Sequence, residues 1–425
     1  MGGNSGLEEK EPPQLEYDDT SNDPHRTRTG SSVGAYFNIV CVIAGTGTLQ
    51  LPLAVSQAGW IGVGMIILSA IIAIYTGGLL IKCLYYDGVS RLPDYPSIGQ
   101  AAFGRFGKAF IRAFHYSILL GAACIYILLA GQNIYNLVGH LGVHFSQKYW
   151  IIIAASIIWF PYVSLKTVKE VAWLSIFGAV TTLIVVVISV AVGFLDTSVK
   201  HEHIVHSSAN LDGLPLALAS ICFSFGGNVI YPHVEEGMRS PKSWNKIVTY
   251  AIITILGMYL LISIPGYIVY GNIVQSPIYN SLPDWPATNA AIILITVHII
   301  MAAPLYLTSF ANEMEDLLKI SRKYHSRSKE FILRVILRTL IVIAMTLLAM
   351  YVPYVDTLMS LIGALSYSII VYIAPVVLYL KLYGWRSVGI LELLWCLIIV
   401  AIGMIALVLG SKDAVQQLVQ QFRDH

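Results

Sequence analysis

Two short stretches set polar groups and glycines deep inside apolar runs. The first reads Ala44-Gly45-Thr46-Gly47-Thr48-Leu49-Gln50-Leu51-Pro52, and the second Phe223-Ser224-Phe225-Gly226-Gly227-Asn228-Val229-Ile230-Tyr231-Pro232. In each, a proline follows five residues after the last glycine. Glycine lowers helix propensity by about 1 kcal/mol. A proline leaves the carbonyl four residues before it without its helical partner, which here means Thr48 and Asn228. Bare backbone groups at membrane depth persist only where they line a cavity or the protein interior. Free N–H groups at the start of a half-helix suit a carboxylate. Freed carbonyls and half-helix C-termini suit an ammonium group or a cation. Together they form a holder for a zwitterion. Glycine packing notches or plain proline kinks would explain one such stretch. Two at matching places, about 180 residues apart, point to a duplicated architecture with substrate between two discontinuous helices.

The elements that must position these stretches are membrane helices. The 425-residue chain is 56% hydrophobic and only 12% charged, about half the charge of a soluble domain. That much apolar surface requires lipid as its solvent. Runs long enough to span occur at roughly 33–57, 60–85, 109–138, 149–165, 171–195, 214–236, 247–270, 287–311, 331–351, 353–380 and 388–410. The expected fold is therefore an all-α integral membrane protein of about eleven helices, built as two five-helix repeats, with helices 1 and 6 broken. The ninth and tenth runs part only at Pro353, so ten is the rival count. If the N-terminus is cytosolic, 22 of the 26 Lys and Arg residues fall on the cytosolic side, as the positive-inside rule requires.

Residues 1–32 hold seven acidic residues, three prolines and almost no aliphatics, which predicts a disordered cytosolic tail rather than a signal peptide. Residues 33–410 form the transmembrane domain and 411–425 a short non-cytosolic tail. The five cysteines fall within or beside spans and show no CxxC spacing, so neither a disulfide framework nor a metal site is expected. No P-loop, GxSxG or HExxH motif occurs. An enzyme, ATP-driven transport and nucleic-acid binding are all disfavoured, and no cofactor is implied.

Among ionisable residues, His298 sits at the centre of span eight and is the candidate proton carrier. His233, one turn past the second break, is the second candidate. Glu235 and Glu236 beside it are candidate gating carboxylates. Tyr126 in span three is placed to offer its hydroxyl to a substrate carboxylate. His115 is expected near the interface. Outer-loop histidines at 140, 144, 201, 203 and 206 suit an acidic lumen.

The run Gly45-Thr46-Gly47-Thr48-Leu49-Gln50-Leu51-Pro52 followed by Gln57-Ala58-Gly59-Trp60, the loop Tyr95 to Gly104, and the segment from Phe223 to Pro241 together resemble the amino acid/auxin permease family. The look is closest to its fungal, vacuolar-type members. The resemblance covers about 33–410. It implies a LeuT-type inverted repeat, neutral amino acid substrates and proton coupling by alternating access. It makes the backbone of Gly45, Thr46, Gly47 and Thr48 the carboxylate clamp, with Ser224, Phe225, Gly226 and Asn228 as the facing wall; Ala44 and Gly227 at the breaks are counted with them as candidate substrate-binding residues. Some relatives carry an acidic residue in the second break, where this chain has Gly226-Gly227. The expected partners are an amino acid, a proton and the lipid bilayer. A vacuolar or lysosome-like membrane is favoured over the plasma membrane. An amino acid sensor on the same fold is the alternative; the short tail shows no docking segment that would favour it.

Overall fold

A computed structural model describes residues 30–88, 90–139, 145–164, 172–197, 204–322 and 324–423. Residues 1–29 of the expected tail lie outside these. The last three tail residues are in place: Gly30 exchanges backbone hydrogen bonds with Gly237 and Arg239, both 2.9 Å, and the Ser31 side chain caps the first helix by accepting from Gly34 N at 2.9 Å.

Span one is two helices, α1 (Ser32–Ile43) and α2 (Thr46–Ala58), bent by 49° at Ala44 and Gly45. Span six is α7 (Leu214–Ser224) and α8 (Tyr231–Gly237), joined by a 3-10 turn over Gly227–Val229. Between them lie α3 (Ile61–Leu84), α4 (Tyr95–Gly139), α5 (Gln147–Ser164) and α6 (Ala172–Leu195). After them come α9 (Trp244–Tyr270), α10 (Pro286–Leu317) and α11 (Arg327–Tyr351). Span ten runs through α12 (Val355–Ile362), a π-helical stretch Gly363–Ile373 and α13 (Ala374–Tyr383). Span eleven is α14 (Ile390–Ile405), a π-helical turn Ala406–Gly410 and α15 (Ser411–Arg423). Among the described residues, nine helices are long and apolar enough to cross a membrane, or ten counting the bent pair of span one. α5, 18 residues long, falls outside that count and occupies the place of the expected fourth span. Spans nine and ten do part around Pro353, at 352–354.

The breaks fall where glycine, not proline, puts them. Pro52 lies inside α2, and the unwound residues are Ala44 and Gly45, seven positions before it. Thr48 is already helical. Pro232 stands in the first turn of α8, the place in a helix where a missing N–H costs least. The Thr48 carbonyl, which Pro52 leaves without a helical partner, lies inside α2, three residues past Gly45.

α2 packs along α7, and α3 along α9, so the broken spans and their followers form one bundle. α4, α5, α10 and α11 pack together beside it. Arg338 pins that second group. Its buried guanidinium donates to Glu315 at 2.8 Å on α10, to the Tyr162 carbonyl at 2.8 Å on α5, and to Asn312 at 3.2 Å. α4 begins with a short segment that turns at Phe103 and Gly104, where Gly104 has φ of 64°, a conformation that glycine adopts without steric cost. This short segment is the entry to span three.

Candidate functional site

α2 begins at Thr46 with no side chain capping it. The amides of Thr46 and Gly47 have no intrahelical acceptor, as in the first turn of any helix, while Thr48 N turns back onto the Gly45 carbonyl at 3.1 Å. Opposite, α7 ends at Ser224. Phe225 N bonds to the Ile221 carbonyl at 3.1 Å and Gly226 N to the Phe223 carbonyl at 3.2 Å, closing off the helix before the 3-10 turn.

Between the two breaks lies a small cavity of about 20 Å³. Its wall is Gly45, Thr46 and Gly47 from the start of α2, and Val42 and Ile43 from the end of α1. Phe223 and Gly226 come from span six, Ala122 and Tyr126 from α4, Tyr306 from α10 and Tyr367 from the π-helical stretch. Every one of these side chains is uncharged. Amide donors, a helix N-terminus and three tyrosine rings face one small space, which is the chemistry for a carboxylate carried on a neutral molecule.

The glycines are there because backbones and rings come too close for side chains. A Cβ at Gly226 would lie 2.0 Å from Tyr367 Cε1. One at Gly47 would lie 2.9 Å from Ser224 Cα, and one at Gly227 2.4 Å from Ile43 Cδ1. Ser224 stitches the two spans: its Oγ is 3.0 Å from the Gly47 carbonyl and 2.9 Å from that of Ser220.

Of the sequence-derived clamp, Gly45, Thr46 and Gly47 face the pocket, as do Tyr126 and Gly226. Ala44, Thr48, Ser224, Phe225, Gly227 and Asn228 do not line it. They are buried behind it, where they set the spacing of the breaks. Asn228 points away, with Nδ2 3.5 Å from Thr76 Oγ1 and from the Val371 carbonyl.

The ionisable candidates separate into three environments. His298 is buried, and its Nε2 finds no partner among the described residues. A side chain on Gly178 of α6 would meet His298 Cε1 at 2.6 Å and Cys41 Sγ of α1 at 2.5 Å. His298 therefore lies one helix turn from the first break, with the backbone of α6 alongside. Glu235 is buried and ion-paired, 2.7 Å from Arg91 Nε, and accepts from Tyr85 Oη at 2.5 Å. His233 and Glu236 are different: their side chains are 58% and 43% exposed and 4.0 Å apart. Neither lines the pocket. His115 is buried within the protein. Of the outer-loop histidines, His206 is described, with Nε2 2.9 Å from the Tyr267 carbonyl; those at 140, 144, 201 and 203 lie outside the described residues.

The sequence profile of the family described as "Transmembrane amino acid transporter protein" matches residues 28–416, nearly the whole chain. The chain belongs to this family. Amino acid transporter AVT1C of Arabidopsis thaliana is 28% identical over 403 residues, covering 93% of this chain and 71% of that protein. The vesicular GABA transporter of Caenorhabditis elegans is 26% identical over 363 residues, covering 82% and 72%. Among solved structures, a manganese transporter from Eremococcus coleocola superposes with a TM-score of 0.56 at 10% identity, covering 92% of this chain and 87% of that one. That likeness speaks to the fold alone, and it agrees with a LeuT-type arrangement in a multi-pass membrane protein.

For this member of the amino acid transporter family, sequence reasoning missed Tyr306 and Tyr367 as pocket walls. Aromatic residues are common in membrane helices, and nothing local marks these two. Tyr367 sits in a π-helical stretch, where 3.6-residue periodicity misplaces its direction. Tyr306, two residues after Pro304, carried only the faint signal of a proline-disturbed helix.

Proposed function

We propose that this chain is a secondary active transporter of neutral amino acids that works by alternating access. The observation that carries this reading is the uncharged pocket at which the open amides of α2 meet the end of α7. The amides of Thr46 and Gly47 take the substrate carboxylate, aided by the Tyr126 hydroxyl. A cationic or acidic side chain on the substrate would find no counter-charge in that wall, and its desolvation would go uncompensated. The names of the relatives, which transport amino acids and GABA, support the substrate class.

Proton coupling falls to His298. It is a buried ionisable group close to α1 near the first break, with a ring nitrogen that finds no partner among the described residues. The N-terminus lies in the cytosol, by the excess of Lys and Arg on that face. The membrane is that of a vacuole or lysosome-like compartment, in line with the relatives the chain resembles.

Uptake of radiolabelled neutral amino acids into proteoliposomes, with and without an imposed pH gradient, tests the reading. Flux that follows the gradient is expected; flux indifferent to it removes proton coupling, and absence of flux for every neutral amino acid removes the transporter. His298→Ala is expected to weaken the pH dependence before it lowers the rate at saturating substrate. Unchanged coupling in that variant takes His298 out of the mechanism.

A further inference from the structure

Tyr259 of α9 is fully buried. Its hydroxyl lies 2.9 Å from the carbonyl of Ile43, the last residue of α1. The same hydroxyl meets the carbonyl of Ser224, the last residue of α7. Thr48 lies beside it, and its ring stands edge-on to Phe225 with centroids 5.0 Å apart. Ser263 Oγ donates to the Tyr259 backbone carbonyl at 2.5 Å, bracing its own turn of helix.

A phenol carries one proton, and here two carbonyls converge on it. Both belong to half-helix C-termini, where the aligned peptide dipoles place partial negative charge. Two such ends, buried and aimed at one point, repel unless something positive stands between them. A bound cation would serve. In this chain the place is filled by the O–H of Tyr259, supplied by a third helix.

We propose that Tyr259 is a positioning residue of the transport site. Its hydroxyl bridges the two broken spans in the way a bound cation would, and so holds the amides of Thr46 and Gly47 facing the pocket. Tyr259 does not line the pocket and touches no substrate; it acts through the two carbonyls. The proposal rests on the transporter reading above for its effect on substrate, but the bridge itself can be tested without substrate.

The test compares the full-length protein with Tyr259→Phe, which keeps the ring and deletes the hydroxyl. Neutral amino acid uptake by proteoliposomes gives KM and maximal rate. Thermal unfolding in detergent is followed in sodium, lithium and choline chloride. In Tyr259→Phe the KM is expected to rise about tenfold, equivalent to about 1.4 kcal/mol, with a smaller change in maximal rate. Sodium or lithium, but not choline, should raise the unfolding temperature of the variant and leave the parent unmoved, because a small ion can enter between the bared carbonyls. A KM equal to the parent's overturns the proposal, as does a variant whose melting shows no cation response beyond the parent's. If Tyr259→Phe does not fold, 3-fluorotyrosine at position 259, a stronger donor of nearly the same shape, replaces it. Tighter KM or higher thermal stability is then expected, and parent-like behaviour overturns the bridge. Should the parent carry no amino acid at all, the transporter reading falls, while the melting comparison still decides the role of Tyr259.

Discussion

The two halves of span six are held by different chemistry. α8, near the face where Gly30 docks, is held by ions: Glu235 takes Arg91 at 2.7 Å and Tyr85 at 2.5 Å, and Arg91 also donates to the Pro232 carbonyl. α7, toward the opposite face, is held by neutral groups. Gln50 Nε2 of α2 reaches Ser220 Oγ of α7 at 2.8 Å and Ser360 Oγ of α12 at 3.3 Å, and the two serines are 3.0 Å apart. These three side chains are buried directly outward of the pocket, joining α2, α7 and α12 on that side. Behind α12, the helix α15 adds a second layer of polar contacts. Gln417 donates to Asp356 at 3.2 Å, and Thr357 donates to Gln421 at 2.8 Å. Separating a buried ion pair leaves charge stranded in a poor solvent. Separating hydroxyls and an amide costs a few ordinary hydrogen bonds. The contrast makes the neutral side the easier one to part, and the charged side the one that needs water to enter first.

Breaking the charged end should have the largest effect. Glu235→Ala strands Arg91 and is expected to cost about 3–5 kcal/mol of stability, read as a fall in unfolding temperature in detergent. Replacing both partners by apolar residues, Arg91→Met with Glu235→Leu, should recover most of it; a double variant as unstable as the single one would show that the pairing is not what matters.

Next comes crowding at the breaks themselves. Gly47→Val pushes a side chain into Ser224 Cα and is expected to cost about 1–3 kcal/mol and to abolish flux with expression retained. Gly227→Val should do the same through Ile43. Surviving flux in either variant would mean that the spans do not meet as closely as the structure has them.

The neutral clasp ranks third. Gln50→Leu leaves Ser220 and Ser360 paired with each other, so the loss should be about 1 kcal/mol. It should speed labelling, from the face opposite Gly30, of a cysteine placed on the pocket wall. Labelling as slow as in the parent would show that Gln50 does not hold that side shut. The smallest effect is expected from Gln421→Ala on α15. It removes an exposed-edge contact worth about 0.5–1 kcal/mol, measured by the same melting curves; a loss as large as that of Glu235→Ala would invert the ranking of the two ends.

Much of the fold was legible from composition and run length, because lipid demands long, uniformly apolar helices and leaves few other solutions. The two breaks were legible too, since glycine and proline act on their own few residues of backbone. The helix resumes at Thr46 and absorbs Pro52 inside α2, its lost hydrogen bond tolerated as membrane helices allow.

What the residues determined by themselves was the existence, spacing and pairing of two interrupted spans and the lipid-facing character of the rest. Only the tertiary structure decided which groups at those breaks face the pocket and which brace it. Tyr306, Tyr367 and Tyr259 come to the breaks from α10, the π-helical stretch and α9. Asn228, polar and central in its motif, turns toward α3 instead. A helix break is a property of local backbone, but the direction in which the unwound residues point depends on helices distant in sequence that pack around them.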